Sequence, residues 1–225
     1  MSRHVVVREI ERADAEVLKG LAAEGASTVH EADGRRGAFT PELHPIQQGA
    51  AIAGSAVTVS CHPGDNLMIH AAVETVRPGD VVVITTTSPS TDGMLGDLLA
   101  TSLRAHGAIG VIMDAGVRDA AELRAMGFPV WTRAISPQGT VKASPGSVNV
   151  PVVVCGQVIN PGDAVIADDD GITVIPRERA AAVLKKAQAR TANEAAKREK
   201  LAAGELGVDM YHLRPLLADL GVEYL

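Results

Sequence analysis

The stretch Arg77-Pro78-Gly79-Asp80-Val81-Val82-Val83-Ile84 decides the fold class. Its first half is turn chemistry, with Pro fixing φ at the second turn position and Gly taking positive φ at the third. Its second half is an unbroken apolar run, the habit of a short strand covered on both faces. Downstream, residues 96–107 carry a helical pattern ending at Gly107. Ile109-Gly110-Val111-Ile112-Met113 reads as the next strand, Ala115-Gly116 as a turn, and Asp119 to Met126 as a helix stopped at Gly127. Phe128-Pro129-Val130-Trp131 opens another β segment. Upstream, residues 49–60 have a β pattern, and Asp65 to Val76 reads as a helix capped at Asp65. Residues 8–25 read as a helix with Ile10, Val17, Leu18 and Leu21 on one face and Gly25 at its end. A polar stretch through Ala32-Asp33-Gly34-Arg35-Arg36-Gly37 separates the two regions. This alternation of strand and helix favours a layered α/β fold over an all-β one.

Residues 150–176 change character. Val152-Val153-Val154, Val158-Ile159, Ala164-Val165-Ile166-Ala167 and Ile172-Thr173-Val174-Ile175 are short strands between turns. Asn160-Pro161-Gly162-Asp163 echoes Arg77-Pro78-Gly79-Asp80, and since nothing else around it matches, the echo is a repeated turn rather than a duplicated domain. Asp168-Asp169-Asp170-Gly171 lacks the alternating ligands and terminal Glu of an EF-hand loop and reads as a tight hairpin turn. From Arg177 to about Ala203 runs a charged, Ala-rich helix whose apolar stripe is thin, so it extends from the body or packs on another subunit. Gly204 to Leu225 is too apolar for a disordered tail and reads as a docked terminal element. The division expected is 1–176 as an α/β domain and 177–225 as a helical extension.

Composition removes several classes of function. The chain has 225 residues, of which 46% are hydrophobic and only 2% aromatic, with a net charge of −6. A negative charge disfavours a nucleic-acid backbone binder, and so few rings leave no base-stacking platform. No apolar run approaches a bilayer span and the N-terminus lacks a signal-peptide pattern, so a cytoplasmic, non-membrane protein is expected. Cys61 and Cys155 are too few and too far apart for a disulfide framework or zinc cluster, and both sit where buried inert thiols are common. His30, His62, His70 and His106 have no close i, i+4 partners and read as structural or surface residues.

The chemistry gathers in two segments. Gly96-Asp97-Leu98-Leu99 opens a helix after a loop rich in Ser, Thr, Pro and Gly, so the amides of Leu98 and Leu99 are free to hold a carboxylate. Arg118-Asp119 also stands at a helix start, after the strand at 109–113, where open α/β sheets place ligand crevices. Arg118 offers a planar fork for a carboxylate, and Asp119 a hard oxygen ligand for Mg²⁺ or Mn²⁺. An Asp at a helix start is more often a plain N-cap, and Arg-Asp pairs are common.

These segments resemble the class II pyruvate aldolases that cleave 4-hydroxy-4-methyl-2-oxoglutarate and 4-carboxy-4-hydroxy-2-oxoadipate, within the superfamily of the regulator of RNase E activity A. The matching pattern is an acidic residue, twenty positions, then Arg-Asp, here Asp97 followed by Arg118-Asp119. Other similar pieces are Pro63-Gly64-Asp65-Asn66, Asp114-Ala115-Gly116-Val117, Gly146-Ser147-Val148-Asn149-Val150-Pro151 and Lys200-Leu201-Ala202-Ala203-Gly204. The resemblance implies a layered ββα fold of the swivelling-domain type with a long C-terminal helical extension, assembled as a homotrimer or homohexamer with sites between protomers. It implies Asp119 as the direct ligand of a divalent metal, Mg²⁺ or Mn²⁺, and Asp97 acting through metal-bound water. It further implies Arg118 stabilising enolate charge, and Gly96, Asp97, Leu98, Leu99 and Arg118 around the pyruvate moiety. Glu194, with Glu199 as a second candidate, would reach a neighbouring subunit's site.

The activity so implied is metal-dependent retro-aldol cleavage with oxaloacetate decarboxylation on the side, in aromatic-compound degradation. The proton acceptor for the C4 hydroxyl would be a metal-linked water or hydroxide held by Asp97 or Glu194. No Schiff-base lysine is required; Lys142 and Thr140 lie in a Gly-rich turn that can line the pocket. The alternatives are a non-catalytic RNase E-binding regulator and a dedicated oxaloacetate decarboxylase.

Overall fold

The computed structural model describes residues 4–225. Two helices, α1 (Ala15–Glu24) and α2 (Ala26–Ala32), precede the short strand β1 (His44–Pro45). Then come β2 (Ile52–Cys61), α3 (Leu67–Ala72), β3 (Asp80–Thr86), β4 (Gly93–Leu95), α4 (Asp97–Ala105), β5 (Gly110–Val117), α5 (Ala120–Ala125) and β6 (Val130–Ile135). The chain continues through β7 (Ser147–Val148), β8 (Val152–Val154), β9 (Gln157–Ile159), β10 (Ala164–Asp168) and β11 (Gly171–Ile175). Three helices end it, α6 (Ala180–Ala202), α7 (Gly207–Met210) and α8 (Arg214–Asp219). The α/β expectation holds.

The main sheet runs β1-β6-β5-β3-β2-β10-β11, with β4 added beside β5 and β7 beside β2. β2, β3, β5 and β6 are mutually parallel, joined by helical crossovers, while β10 and β11 return antiparallel. The valine run proves central. Val81 and Val83 of β3 point to one apolar cluster with Ile112, Trp131 and Val165, and Val82 and Ile84 to another with Val57, Leu103 and Leu123. A third cluster joins Leu18, Leu21 and Val29 to Ile166, Ile175 and Val183.

The sheet nearly closes on itself. Residues 37–39 lie along β11, through Phe39 N–H to the Ile172 carbonyl and Val174 N–H to the Gly37 carbonyl, both 2.9 Å. A few residues on, β1 lies along β6. One strap of chain thus occupies both ends of the strand order. Gly37 is required there: at φ 79° a Cβ would stand 2.1 Å from the Val174 carbonyl oxygen. Inside the curve, the buried Trp131 indole donates to the Asp168 carbonyl at 2.9 Å.

Several local expectations shift. Helix α1 begins at Ala15 rather than near residue 8, because the Asp14 side chain caps it through Glu16 N–H and Val17 N–H. Residues 4–14 are not helical, and there Arg12 reaches across to the buried Asp80 carboxylate at 2.8 Å. Strand β5 runs on through Ala115-Gly116 to Val117, so those small residues are strand and not turn. The Asp168–Gly171 hairpin is as expected, and its acids are structural: Asp168 accepts from Ala26 N–H at 2.7 Å, Asp169 from Gly49 N–H, and Asp170 from Ser27. The two Pro-Gly-Asp turns also match in detail, since Asp80 accepts from Arg77 N–H and Asp163 from Asn160 N–H.

The chain forms two compact units, one up to Ala187 and one from Gln188 to Leu225, the boundary lying inside α6. The first part of α6 buries Ala180, Val183 and Ala187. In the second unit Lys197 lies 5.3 Å from the Tyr211 ring centre, while Leu206, Leu213, Leu216, Leu220 and Val222 are exposed in a single chain. No described helix is long and apolar enough to cross a membrane.

Candidate active site

The site is built where two strand-to-helix junctions meet. β4 ends at Leu95 and α4 starts at Asp97; β5 ends at Val117 and α5 starts at Ala120. Because β4 and β5 are parallel neighbours, the junctions emerge side by side at the carboxyl ends of the strands. They are tied by two bonds, Arg118 N–H to the Leu95 carbonyl at 2.9 Å and Asp97 N–H to Asp119 Oδ2 at 3.2 Å.

Asn66, His70, Gly93, Met94, Gly96, Asp97, Leu98, Leu99, Arg118 and Lys142 line a cavity of about 230 Å³. Five of these are the expected substrate-binding residues Gly96, Asp97, Leu98, Leu99 and Arg118. Asp119 lies beside it, in an adjoining recess shared with Arg118, Ile135, Ser136 and Pro137. Arg118 Nε is 3.5 Å from Asp119 Oδ2, and both side chains remain partly exposed. The first α4 backbone bond runs from Ala100 N–H to the Gly96 carbonyl, Gly96 has no side chain to cap the helix, and Asp119 takes only the Asp97 amide, so the Leu98 and Leu99 amides keep free donors at its positive end.

Two features show how tightly this corner is packed. Asp119 is left-handed, at φ 54° and ψ 41°, a conformation that Asp tolerates better than most residues. Gly96 has ordinary extended backbone, yet a Cβ on it would stand 2.2 Å from Asp119 Oδ2 and 3.1 Å from Arg118 Nε. Gly96→Ala therefore displaces the carboxylate. It is expected to lower kcat/KM about a hundredfold, the cost of a misplacement near 1 Å, with little change in melting temperature. Steady-state turnover beside thermal unfolding measures both.

Sequence reasoning missed part of the wall. His70, read as structural or surface, lines the cavity; burial and then the charge of Lys142 push its pKa down from 6.5. Its signal was present, since His70 follows Asn66 by one helical turn and both face the same space. Asn66 is oriented by donating from Nδ2 to the Met94 carbonyl at 3.1 Å. The loop carrying Lys142 is held by Asp65, which accepts from Leu67, Ala143 and Ser144 N–H groups. Burial opposes the Asp65 charge, but these backbone donors outweigh it and hold the carboxyl below its ordinary 3.8. A lowered folded pKa gives stability that is present above 3.8 and lost as pH falls through the folded value. Asp65→Asn should thus unfold at lower urea than wild type at neutral pH, the gap closing in acid below pH 3.8.

Asp97 and Asp119 are the acidic side chains at this corner, and among the described residues no three His, Cys, Asp or Glu groups converge as a metal cage. Two carboxylates beside open space suit a hard cation that keeps several waters, such as Mg²⁺ or Mn²⁺. The donor set fits such an ion and does not fit zinc, which takes at least three protein ligands, chiefly His and Cys. Glu194 belongs to the second unit, where it pairs with Arg190 at 2.8 Å and shares a recess with Asn193, Lys197, Leu201 and Tyr211. Burial pushes the Cys61 thiol up to about 12 and the half-buried Cys155 thiol up to about 11.

A family model described as RraA-like, Aldolase/RraA, matches residues 13–174. The chain belongs to the RraA-like family. A Halalkalibacterium halodurans relative, provisionally named 4-hydroxy-4-methyl-2-oxoglutarate aldolase, is 31% identical over 77% of this chain and 82% of its own length. A Burkholderia multivorans relative with the same provisional name is 35% identical over 60% of this chain and 81% of its own. Among solved structures, Streptomyces coelicolor RraAS2, described as an unusual member of the RNase ES inhibitor RraA family, superposes with a TM-score of 0.75. It is 29% identical, over 84% of this chain and 99% of that one. The RNA-processing inhibitor RraA from Thermus thermophilus superposes at 0.62 and 26% identity, over 67% of this chain and 92% of that one. RraA-like proteins thus carry both aldolase and inhibitor names.

Proposed function

We propose that this RraA-like protein is a divalent-metal-dependent pyruvate aldolase. It would cleave 4-hydroxy-4-methyl-2-oxoglutarate to two pyruvates, or 4-carboxy-4-hydroxy-2-oxoadipate to pyruvate and oxaloacetate. The observation that carries the reading is the meeting of Asp97 and Asp119 across two adjoining recesses that share Arg118, beside the free amides of Leu98 and Leu99. The provisional aldolase names of the relatives support it.

In retro-aldol cleavage the C4 hydroxyl loses its proton, the C3–C4 bond breaks, and its electron pair is left on C3 beside the 2-keto group. The difficulty is the charge that spreads onto the keto oxygen. The Arg118 guanidinium supplies positive charge there, and the Leu98 and Leu99 amides hold the C1 carboxylate so that the keto group meets it. Asp119, with Asp97 beside it, would hold the Mg²⁺ or Mn²⁺ ion, which when bound acts as a Lewis acid toward the 2-oxo group. Asp97 is the chain's own acceptor for the C4 hydroxyl proton, directly or through one water. Protonation of C3 then completes pyruvate. Loss of CO₂ from oxaloacetate leaves the same enolate, so decarboxylation should accompany cleavage. The long helix would bring Glu194 to the site of a neighbouring copy in a trimer or hexamer.

Pyruvate release from both substrates and from oxaloacetate, after chelation and after Mg²⁺ or Mn²⁺ add-back, tests the proposal. Expected is loss and full recovery, with cleavage exceeding decarboxylation in kcat/KM. Turnover unaffected by chelation overturns it, and faster decarboxylation assigns a dedicated oxaloacetate decarboxylase. Because structural relatives carry inhibitor names, a pull-down with RNase E belongs beside it; capture without turnover would make the chain a regulator.

A further inference from the structure

Strand β5 reaches the site through a β-bulge. Met113 pairs with Thr132 and Gly116 with Ala134, so Asp114 and Ala115 together oppose the single residue Arg133. A bulge of this kind inserts one residue, bends the strand and re-aims the chain beyond it. The side chains so re-aimed, just past Val117, are those of Arg118 and Asp119.

The bulge is held by side chains of the strand it faces. Arg133 donates to Asp114 Oδ1 from Nε at 2.9 Å and again from Nη2. The pair is mostly buried, at 32% and 17% side-chain exposure. The Thr132 hydroxyl lies 2.8 Å from the Ala115 carbonyl oxygen and 3.1 Å from that of Ala134, spanning the irregularity. On its far side the bulged backbone is pressed against another segment. Gly116 N–H donates to the Asp92 carbonyl at 3.1 Å, and a Cβ on Gly116 would stand 2.1 Å from the Thr91 carbonyl oxygen. None of these groups lines the cavity.

We infer that Arg133 and Thr132, through Asp114 and Ala115, are positioning residues that lock the β5 bulge and thereby place Arg118 and Asp119. The physical reason is the period of a strand. A slip of one residue turns each later side chain to the opposite face, so an unlocked bulge would carry Arg118 and Asp119 out of register with Asp97. β6 itself has no need of the clamp, since Val130 and Trp131 are fully buried in two different apolar clusters. The inference rests on the reading of Arg118 and Asp119 as the metal and enolate site.

The test uses Arg133→Met and Thr132→Val in the full chain, with Mn²⁺ alone as the probe, its free ion counted by electron paramagnetic resonance. Arg133→Met should weaken Mn²⁺ binding about tenfold or more, the range for partners that orient a ligand, and Thr132→Val by less. Trp131, the single tryptophan and next to both residues, reports on β6 packing. Its emission should stay as in wild type while Mn²⁺ affinity falls, a separation that a merely structural role would not produce. Folded variants with wild-type Mn²⁺ affinity overturn the inference, and if Arg133→Met fails to fold, Thr132→Val decides. Should wild-type protein bind no Mn²⁺, the proposed function fails instead, and amide exchange across residues 117–120 judges the clamp. Faster exchange there in Thr132→Val upholds it; unchanged exchange overturns it.

Discussion

Asp119→Asn protein should fold as wild type does but release pyruvate at least about a hundredfold more slowly, because the proposed anionic metal ligand would be gone while the shape is kept. Asn is the informative replacement. It tolerates the left-handed backbone that Asp119 adopts, and its side-chain oxygen can still accept from Asp97 N–H. Alanine would strain the same φ and leave that amide unpaired, mixing a folding defect with the chemistry. Melting temperature and Mn²⁺ uptake measured beside turnover complete the experiment. Near-normal activity with intact Mn²⁺ dependence would remove Asp119 from the site.

Arg118→Ala should lower kcat for both aldol cleavage and oxaloacetate decarboxylation by about 10²–10³, as removing a charge-stabilising donor does elsewhere. The two activities fall together because both generate the same enolate. Arg118→Lys should recover little of either. The guanidinium is a planar fork lying against two glycines: a Cβ on Gly96 would meet Nε at 3.1 Å, and one on Gly139 would meet Nη1 at 3.5 Å. A variant with raised KM and unchanged kcat would make Arg118 a uniform substrate binder and leave the enolate without its counter-charge.

The parts of this fold legible in the sequence are those whose physics is local. Val81-Val82-Val83-Ile84 announces a doubly covered strand because both faces need apolar cover, and both receive it. Gly96-Asp97 announces a helix start because a loop rich in Ser, Thr, Pro and Gly leads into it, and Arg118-Asp119 because it follows an apolar strand and small residues. What stayed hidden depends on distant partners. Ala115-Gly116 looks like turn chemistry, but Gly116 is small because the Thr91 carbonyl passes against it. Residues 37–39 carry no β periodicity, yet they line the β11 edge through backbone bonds. His70 looked solitary because Lys142, which shares its cavity, arrives on a loop held by Asp65.

The strap at residues 37–45 has a consequence for how this protein would fail. Open sheets invite intermolecular pairing along unmatched peptide groups, the usual seed of fibrous aggregates. Here one connecting segment shields β11 with its beginning and β6 with its end, so both margins are spoken for in the native state. Strand addition at β11 or β6 therefore requires this segment to peel away first.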